Sequence, residues 1–312
     1  SISFCGQYRA AKGRAIRGRS APAMTYGFNK DHRPDLKQLL FILTVAADGV
    51  PVAFRCASGN TGDSVTHIDT WNTLRAVAGR ADFLYVADSK LCSYDNMRYI
   101  HGEGGRFVTV MPRTRQEDAQ FREWIQTHTP DWERVWDRPN PRYRDGPRDC
   151  WYVFKPVVPS MEVWPITWVW SALLTLRHRA RRQRNISAAV EALESLHQRL
   201  IKARARLRGA QQIDQRVEQS LSQHFVGRYV KINRIVRQEH SFKQARRGRP
   251  GPHTAYRRIT RKRYDIEWTI DQAAIDYDEK SDGMYPLLSN DRNLTPIQVL
   301  QAHKGQPTIE KR

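Results

Sequence analysis

Asp88 and Glu310 are the two acids whose settings in the sequence could support chemistry. Asp88 follows Phe83 to Ala87, a short apolar run rich in aromatic and β-branched residues, which predicts a buried strand ending on a carboxylate. Ligands and catalytic groups in open α/β sheets sit where strands end and the chain turns. An acid at that place is held rigidly and still faces solvent. The alternative is that Asp88 only caps the helix predicted over Tyr94 to His101. Glu310 falls in the first turn of a helix predicted to open at Pro307, where the dipole favours an ionised carboxylate. Two such carboxylates suit Mg²⁺ or Mn²⁺, which prefer hard oxygen ligands together with substrate phosphate. A pair of these ions roughly 4 Å apart can activate a water or a 3′-hydroxyl and stabilise the leaving oxygen. Most such sites need a third acid, and Ser1 to Cys5 supplies none. Asp63 is the nearest substitute, although its place predicts a cap for a helix over Ser64 to Ala78.

The elements that must position these acids follow from hydrophobic pattern. Leu36 to Ala47 and Val50 to Ala57 flank Asp48-Gly49, a hairpin signal in which Gly accepts the positive φ of a type I′ turn. After the helix over 64–78, the strand ending at Asp88 and the helix over 94–101, Arg106 to Met111 predicts a further strand closed by Pro112. Strand, hairpin pair, helix, strand, helix, strand is the order of an RNase H-like α/β domain. From Arg113 to Ser281 the rhythm breaks. Seven tryptophans between Trp124 and Trp170, with prolines among them, predict a β-rich segment whose rings pack its core rather than stack on bases. Ile186, Val190, Leu193, Leu200 and Leu207 predict a long amphipathic helical stretch over Ser171 to Phe225. Ile266 to Tyr277 and Met284 to Leu288 read as strands. Thr295-Pro-Ile-Gln298 has the form of a capping box, opening a helix that runs to Lys304 and stops at Gly305.

Charge points to the partner. The 312 residues carry a formal charge of +20 and a pI near 10.2. From Arg177 to Arg263 there are 24 Lys/Arg against 5 Asp/Glu, and Ser1 to Arg33 has 7 against 1. A near-neutral to acidic body with two basic attachments suits an enzyme core that grips a polyanion, nucleic acid foremost. The helical stretch, with Arg204 and Arg208 on it, reads either as a solvated face or as a basic rail along DNA, and the shortage of acids favours DNA. Arg9 to Arg19 reads as a loop or a phosphate-facing arm. Arg246-Arg-Gly-Arg-Pro-Gly251 resembles an AT-hook, with Arg246, Arg247 and Arg249 as its cations. Cys5, Cys56, Cys92 and Cys150 are scattered as in a protein of reduced thiols, without zinc spacing. Val157 to Leu176 is broken by Glu162 and two prolines, too short an apolar run to span a bilayer.

Four blocks then occur in order: Tyr26-Gly-Phe-Asn-Lys-Asp-His-Arg-Pro-Asp-Leu-Lys-Gln38, Gly59-Asn-Thr-Gly-Asp63, Val86-Ala-Asp88 and His303-Lys-Gly-Gln-Pro-Thr-Ile-Glu310. Together they resemble the DDE transposases of bacterial insertion sequences, in the broad IS-four grouping, over nearly the whole chain. The resemblance implies an RNase H-like core (1–112), an insertion domain (113–281) and a return to the core (282–312). It implies cleavage and strand transfer at transposon ends, with Asp88 as the second catalytic Asp and Glu310 as the catalytic Glu. Both would be ligands of two Mg²⁺ or Mn²⁺ ions. The first Asp is expected on the strand just before Ser1, so the sequence reads as a fragment truncated at both ends and inactive by itself. The family places a Tyr seven and an Arg four residues before the Glu. Here those positions hold His303 and Gln306, a degraded signature, with Lys304 as the nearby cation and an expected DNA contact. Double-stranded DNA is the implied partner, as transposon ends and as target, with no membrane. Analogy adds a homodimer on paired ends in the bacterial cytoplasm, at the nucleoid. Two other readings stay open. One is a DNA-binding remnant or regulator that does not cut; the other, an RNA-binding protein or ribonuclease, leaves the Lys30 to Asp35 block without a role.

Overall fold

The computed structural model describes residues 2–5, 21–28, 33–140, 145–202 and 209–305. Glu310, Arg204, Arg208 and the Arg9 to Arg19 segment lie outside them. The chain opens with β1 (Ile2–Phe4), β2 (Thr25–Tyr26), β3 (Lys37–Val45) and β4 (Pro51–Ser58), an antiparallel ladder centred on β3. The β3–β4 hairpin forms where Asp48-Gly49 predicts it, with a different turn. Gly49 donates its N–H to the Ala46 carbonyl, Ala46 donates to Val50, and within this loop only Gly49 takes a positive φ, +85°. This is a three-residue loop, a type I turn followed by a left-handed Gly, rather than type I′.

Gln38, buried at the start of β3, donates through Nε2 to the carbonyls of Phe28 (3.1 Å) and Gly59 (2.8 Å). The backbones around it touch. A Cβ on Gly59 would lie 2.0 Å from the Gln38 carbonyl oxygen, and one on Gly27 would lie 2.0 Å from the Gly59 carbonyl oxygen. Two of the four sequence blocks, 26–38 and 59–63, therefore meet at a crossing that has room only for glycine.

A 3₁₀ turn (Asp63–Thr66) leads into α1 (His67–Ala78), β5 (Leu84–Ala87), α2 (Tyr94–Gly102), β6 (Arg106–Val110) and α3 (Gln116–Trp124). Then come β7 (Glu133–Arg138), β8 (Asp149–Phe154) and β9 (Ile166–Ser171). Next are α4 (Ala172–Leu200), α5 (Ala210–His224), β10 (Val230–Gln244), β11 (Tyr256–Ile270) and α6 (Gln272–Glu279). The chain ends its described course with β12 (Met284–Ser289) and α7 (Pro296–Gly305). It divides into two compact units, 1–171 with 284–312, and 172–283.

In the first unit the second sheet runs β5-β6-β12-β9-β8-β7, with β5 and β6 parallel and every other pair antiparallel. Side-chain alternation splits its strands between two layers. Tyr85, Ala87, Phe107, Trp168 and Leu288 pack with Trp71 of α1, Met97 and Ile100 of α2 and Phe121 of α3. Val86, Val108, Val169 and Leu287 pack with Val299 and Leu300 of α7. Helices thus cover both faces, an α/β arrangement. Among the described residues β1–β4 and the six-stranded β5-β6-β12-β9-β8-β7 sheet are separate ladders, so the single core sheet expected of an RNase H-like domain is not formed by their hydrogen bonds. Most of the tryptophans pack as expected: Trp164 and Trp168 are buried in the core and Trp132, Trp136 and Trp151 pack against it, whereas Trp124 is exposed. They do so as part of this sheet, because β7–β9 complete it; the segment 113–281, expected as one insertion, is shared between the two units.

The second unit is built on α4. Ile186, Ala189, Leu193, Leu196 and Leu200 form one stripe and bury against Ile213 of α5, Val230 of β10 and Ile266 of β11. The strand expected to run on to Tyr277 stops at Ile270. Asp271 accepts the Ala274 N–H and caps α6, a local bond that outcompetes the strand pattern. The capping box at Thr295 forms as read: Gln298 Oε1 accepts from the Thr295 amide and Thr295 Oγ1 from the Gln298 amide.

The glycine crossing gives a direct test. Gly59→Ala should lower unfolding stability by about 1–3 kcal/mol, the usual cost of forcing atoms into a filled site. Gly62→Ala, whose Cβ would meet nothing within 4 Å, should stay within about 0.5 kcal/mol of wild type. Urea midpoints of the two variants measure this; equal losses would contradict the crossing.

Candidate active site and basic surface

Asp88 stands at the carboxyl end of β5, exposed, one residue beyond the buried Ala87. Its Oδ1 accepts the Lys90 amide at 2.9 Å, which closes the turn after the strand. Its carbonyl accepts the Thr109 hydroxyl at 2.6 Å, tying the strand end to the neighbouring β6. Oδ2 has no hydrogen-bond partner among the described residues. The cap of α2 is Ser93, whose Oγ accepts from Asn96. Asp88 is therefore not a helix cap, and one carboxylate oxygen faces outward from a fixed turn. Asp63 does not cap either: Gly62 precedes the 3₁₀ turn, and no side chain caps it.

Two further groups share the electrostatic neighbourhood of Asp88. His67, in the first turn of α1, lies with Nδ1 3.0 Å from the Tyr85 hydroxyl. Burial holds the His67 pKa below its ordinary value, while the charges of Asp88 and Asp63 oppose that shift. Burial also pushes Tyr85 up, and the Asp88 charge adds to it. Arg55 of β4 closes this side by donating to Asp69 (2.9 Å) and to the Thr66 carbonyl (3.3 Å). Sequence reading missed His67 and Tyr85, since Tyr85 scans as one more apolar strand residue and no local spacing links it to a histidine 18 positions earlier.

α7, which precedes Glu310 in sequence, packs on the sheet face that carries Leu84 and Val86 of β5. The described chain leaves this helix at Gly305, short of Glu310. Lys304 sets its ammonium 3.6 Å from the Trp151 ring centroid, a cation–π contact inside the first unit. His303 is held neutral near physiological pH: burial, with the Lys304 charge, lowers its pKa to about 4. Its ring meets Tyr285 edge-on at 5.7 Å.

The basic segments behave differently from one another. On α4, Arg182 is bonded to Asp282 (Oδ1 at 3.3 Å), and Arg179 lies 3.7 Å from Glu279 and 3.8 Å from Asp282. Acids that follow the basic stretch in sequence thus neutralise part of the expected rail. Arg246, Arg247 and Arg249 sit exposed at the tip of the β10–β11 hairpin, without an ion-pair partner among the described residues. The tip is closed by the Gly251 amide donating to Thr254 Oγ1 at 2.7 Å.

Among the described residues no group of three or more His, Cys, Asp or Glu is placed to share a metal ion. Asp88 alone fits one ligand position for a hard cation. All four cysteines are free thiols, and no described helix is long and apolar enough to cross a membrane. No protein-family model, curated protein or solved structure matches the chain.

The pairing of Asp88 with His67 is testable by titration. Removing the Asp88 charge withdraws support for the imidazolium, so Asp88→Asn should move the His67 pKa further down. NMR titration of the His67 ring reads the shift directly. An unchanged or raised pKa would show that the two groups do not sense each other.

Proposed function

We propose that this chain is the catalytic domain of a DDE transposase of bacterial insertion sequences, with an RNase H-like core that carries out metal-dependent strand cleavage and strand transfer at the element's ends. The observation that carries the reading is Asp88: an exposed carboxylate on a fixed turn at the end of a parallel strand, inside one of four sequence blocks that occur in the family's order. Support also comes from the meeting of the 26–38 and 59–63 blocks at Gln38 and Gly59, which gives those blocks a shared structural reason to occur together. The excess of Lys and Arg supplies the polyanion grip that such an enzyme needs.

In this reading Asp88 and Glu310 are the chain's own ligands for Mg²⁺ or Mn²⁺, which when bound would supply an activated nucleophile and stabilise the leaving oxygen. Asp88 presents Oδ2 outward while the Lys90 amide fixes its rotamer through Oδ1. Lys304 stacks on Trp151 and His303 meets Tyr285 edge-on, and in this reading the half-buried Lys304 is also a DNA contact beside Glu310. Duplex DNA is the substrate, as end and as target, and a homodimer on paired ends is the assembly that the transposase reading carries with it.

The exposed arginines at the β10–β11 tip also suit a second reading, a protein that occupies transposon ends without cutting them. Strand cleavage separates the two. Full-length protein with end-containing DNA and Mn²⁺ should nick at the element boundary, and Asp88→Asn should lower that rate by orders of magnitude while duplex binding persists. Binding without any metal-dependent cleavage by wild type would leave the end-occupying reading in its place.

A further inference from the structure

The β10–β11 hairpin is longer than its core can support. Strands Val230–Gln244 and Tyr256–Ile270 pair in unbroken register over 15 residue pairs, about 50 Å at ~3.3 Å per residue. Only the base is packed. Val230, Ile232, Tyr264, Ile266 and Trp268 join the α4–α5 core, and none of residues 237–262 does. An isolated two-stranded ribbon is marginal in water. A projecting one of this length, bearing 10 Lys/Arg against one acid between Arg237 and Arg263, has no account in stability. The acid, Glu239, is taken by Arg263 at 2.8 Å.

The register sorts the distal side chains by face. One face pairs Gln238 with Lys262, His240 with Thr260, Phe242 with Arg258 and Gln244 with Tyr256. Phe242 is 68% and Tyr256 54% exposed, and neither ring joins the core of the unit. The other face pairs Arg237 with Arg263, Glu239 with Arg261, Ser241 with Ile259 and Lys243 with Arg257, three charged pairs of four. Amides, an arginine and apolar groups are the chemistry that meets base edges: Gln for adenine, Arg for guanine, Phe or a Thr methyl for the thymine methyl. Lysines and arginines on the opposite face, near the ribbon's edges, suit the phosphate walls.

We infer that the β10–β11 ribbon is a DNA-reading arm that lies in the major groove of duplex DNA, with the Gln238–Gln244 face toward the bases and the Arg246-Arg-Gly-Arg tip reaching a minor groove. This deepens the transposase reading by assigning groove recognition to a named element, and it rests on that reading only for the choice of a polyanion. B-form DNA is favoured over RNA on shape. Its major groove admits a two-stranded ribbon, whereas the A-form major groove is deep and narrow. A competing account is that the basic residues only protect two long open edges from pairing with another strand.

The test uses the full chain with residues 240–260 replaced by Asn-Gly, which closes Glu239 onto Arg261 with a two-residue turn and leaves the packed base intact. Binding to 20-base-pair A·T-rich and G·C-rich DNA, and to an RNA duplex of matched sequence, is measured across salt concentrations, with thermal melting as the folding control. Wild type should bind DNA at least tenfold more tightly than RNA. The shortened arm should lose at least tenfold on DNA and show a shallower salt slope, at an unchanged melting temperature. Point variants separate the faces. Lys243→Glu and Arg257→Glu should weaken all DNA equally, while Gln238→Ala with Gln244→Ala should narrow the difference between sequences. Unchanged DNA affinity in the shortened chain overturns the arm, as does equal affinity of wild type for DNA and RNA. Binding needs no cleavage, so arm-dependent binding together with a full-length protein that never cuts would sink the transposase reading and leave the arm standing. Cleavage with arm-independent binding would do the reverse.

Discussion

The first unit depends on one strand. β12 enters between β6 and β9 after an excursion of the chain from Ala172 to Gly283, and without it the six-stranded sheet would fall into a parallel pair and a three-stranded meander. Its side chains serve both layers: Leu288 packs toward α1–α3 and Leu287 toward α7, and both are fully buried. Thr109 and Ser289, on neighbouring strands, bury hydroxyls that are satisfied by the Asp88 and Phe107 carbonyls. Losing such partners in a dry core costs more than forming them gains.

That constraint explains why so large an excursion is tolerated. Met284 pairs with Trp170, so the second unit leaves and rejoins the sheet at adjacent positions, as an enlarged β9–β12 hairpin loop would. Closing a loop costs entropy that grows only slowly with its length, so the size of what is inserted matters little once its ends are side by side. The turn that fixes Asp88 is held by Lys90 and by Thr109 of β6, wholly within the first unit.

Local signals in the sequence were legible where the deciding bonds are local. The capping box at Thr295 and Gln298, the strand that ends at Ala87 and the helix from Tyr94 are each set by residues within one turn or one strand. The Asp48-Gly49 hairpin was legible as a hairpin but not in its turn type, since one residue of loop length decides between type I′ and type I with a left-handed Gly. The segment after Ile270 was misread because Ile266 to Tyr277 keeps a strand-like composition while a single Asp271 side chain starts a helix. The β10–β11 ribbon was illegible beyond its base, because residues 237–262 bury nothing and carry no apolar period. His67 reaches Tyr85 only through the fold, and no spacing in the chain announces it. Glu310, Arg204 and Arg208 rest on the sequence alone.

In the transposase reading Asp88 and Glu310 serve one metal site. The most direct measurement loads the full-length protein with Fe²⁺ in place of Mg²⁺ and generates hydroxyl radicals with ascorbate and peroxide, then maps where the backbone is cut. A shared site predicts cuts near Asp88 and near Glu310 together, both suppressed by excess Mg²⁺ and both lost in Asp88→Asn. Cuts at one of the two positions without the other, or cuts that survive Asp88→Asn, would contradict it.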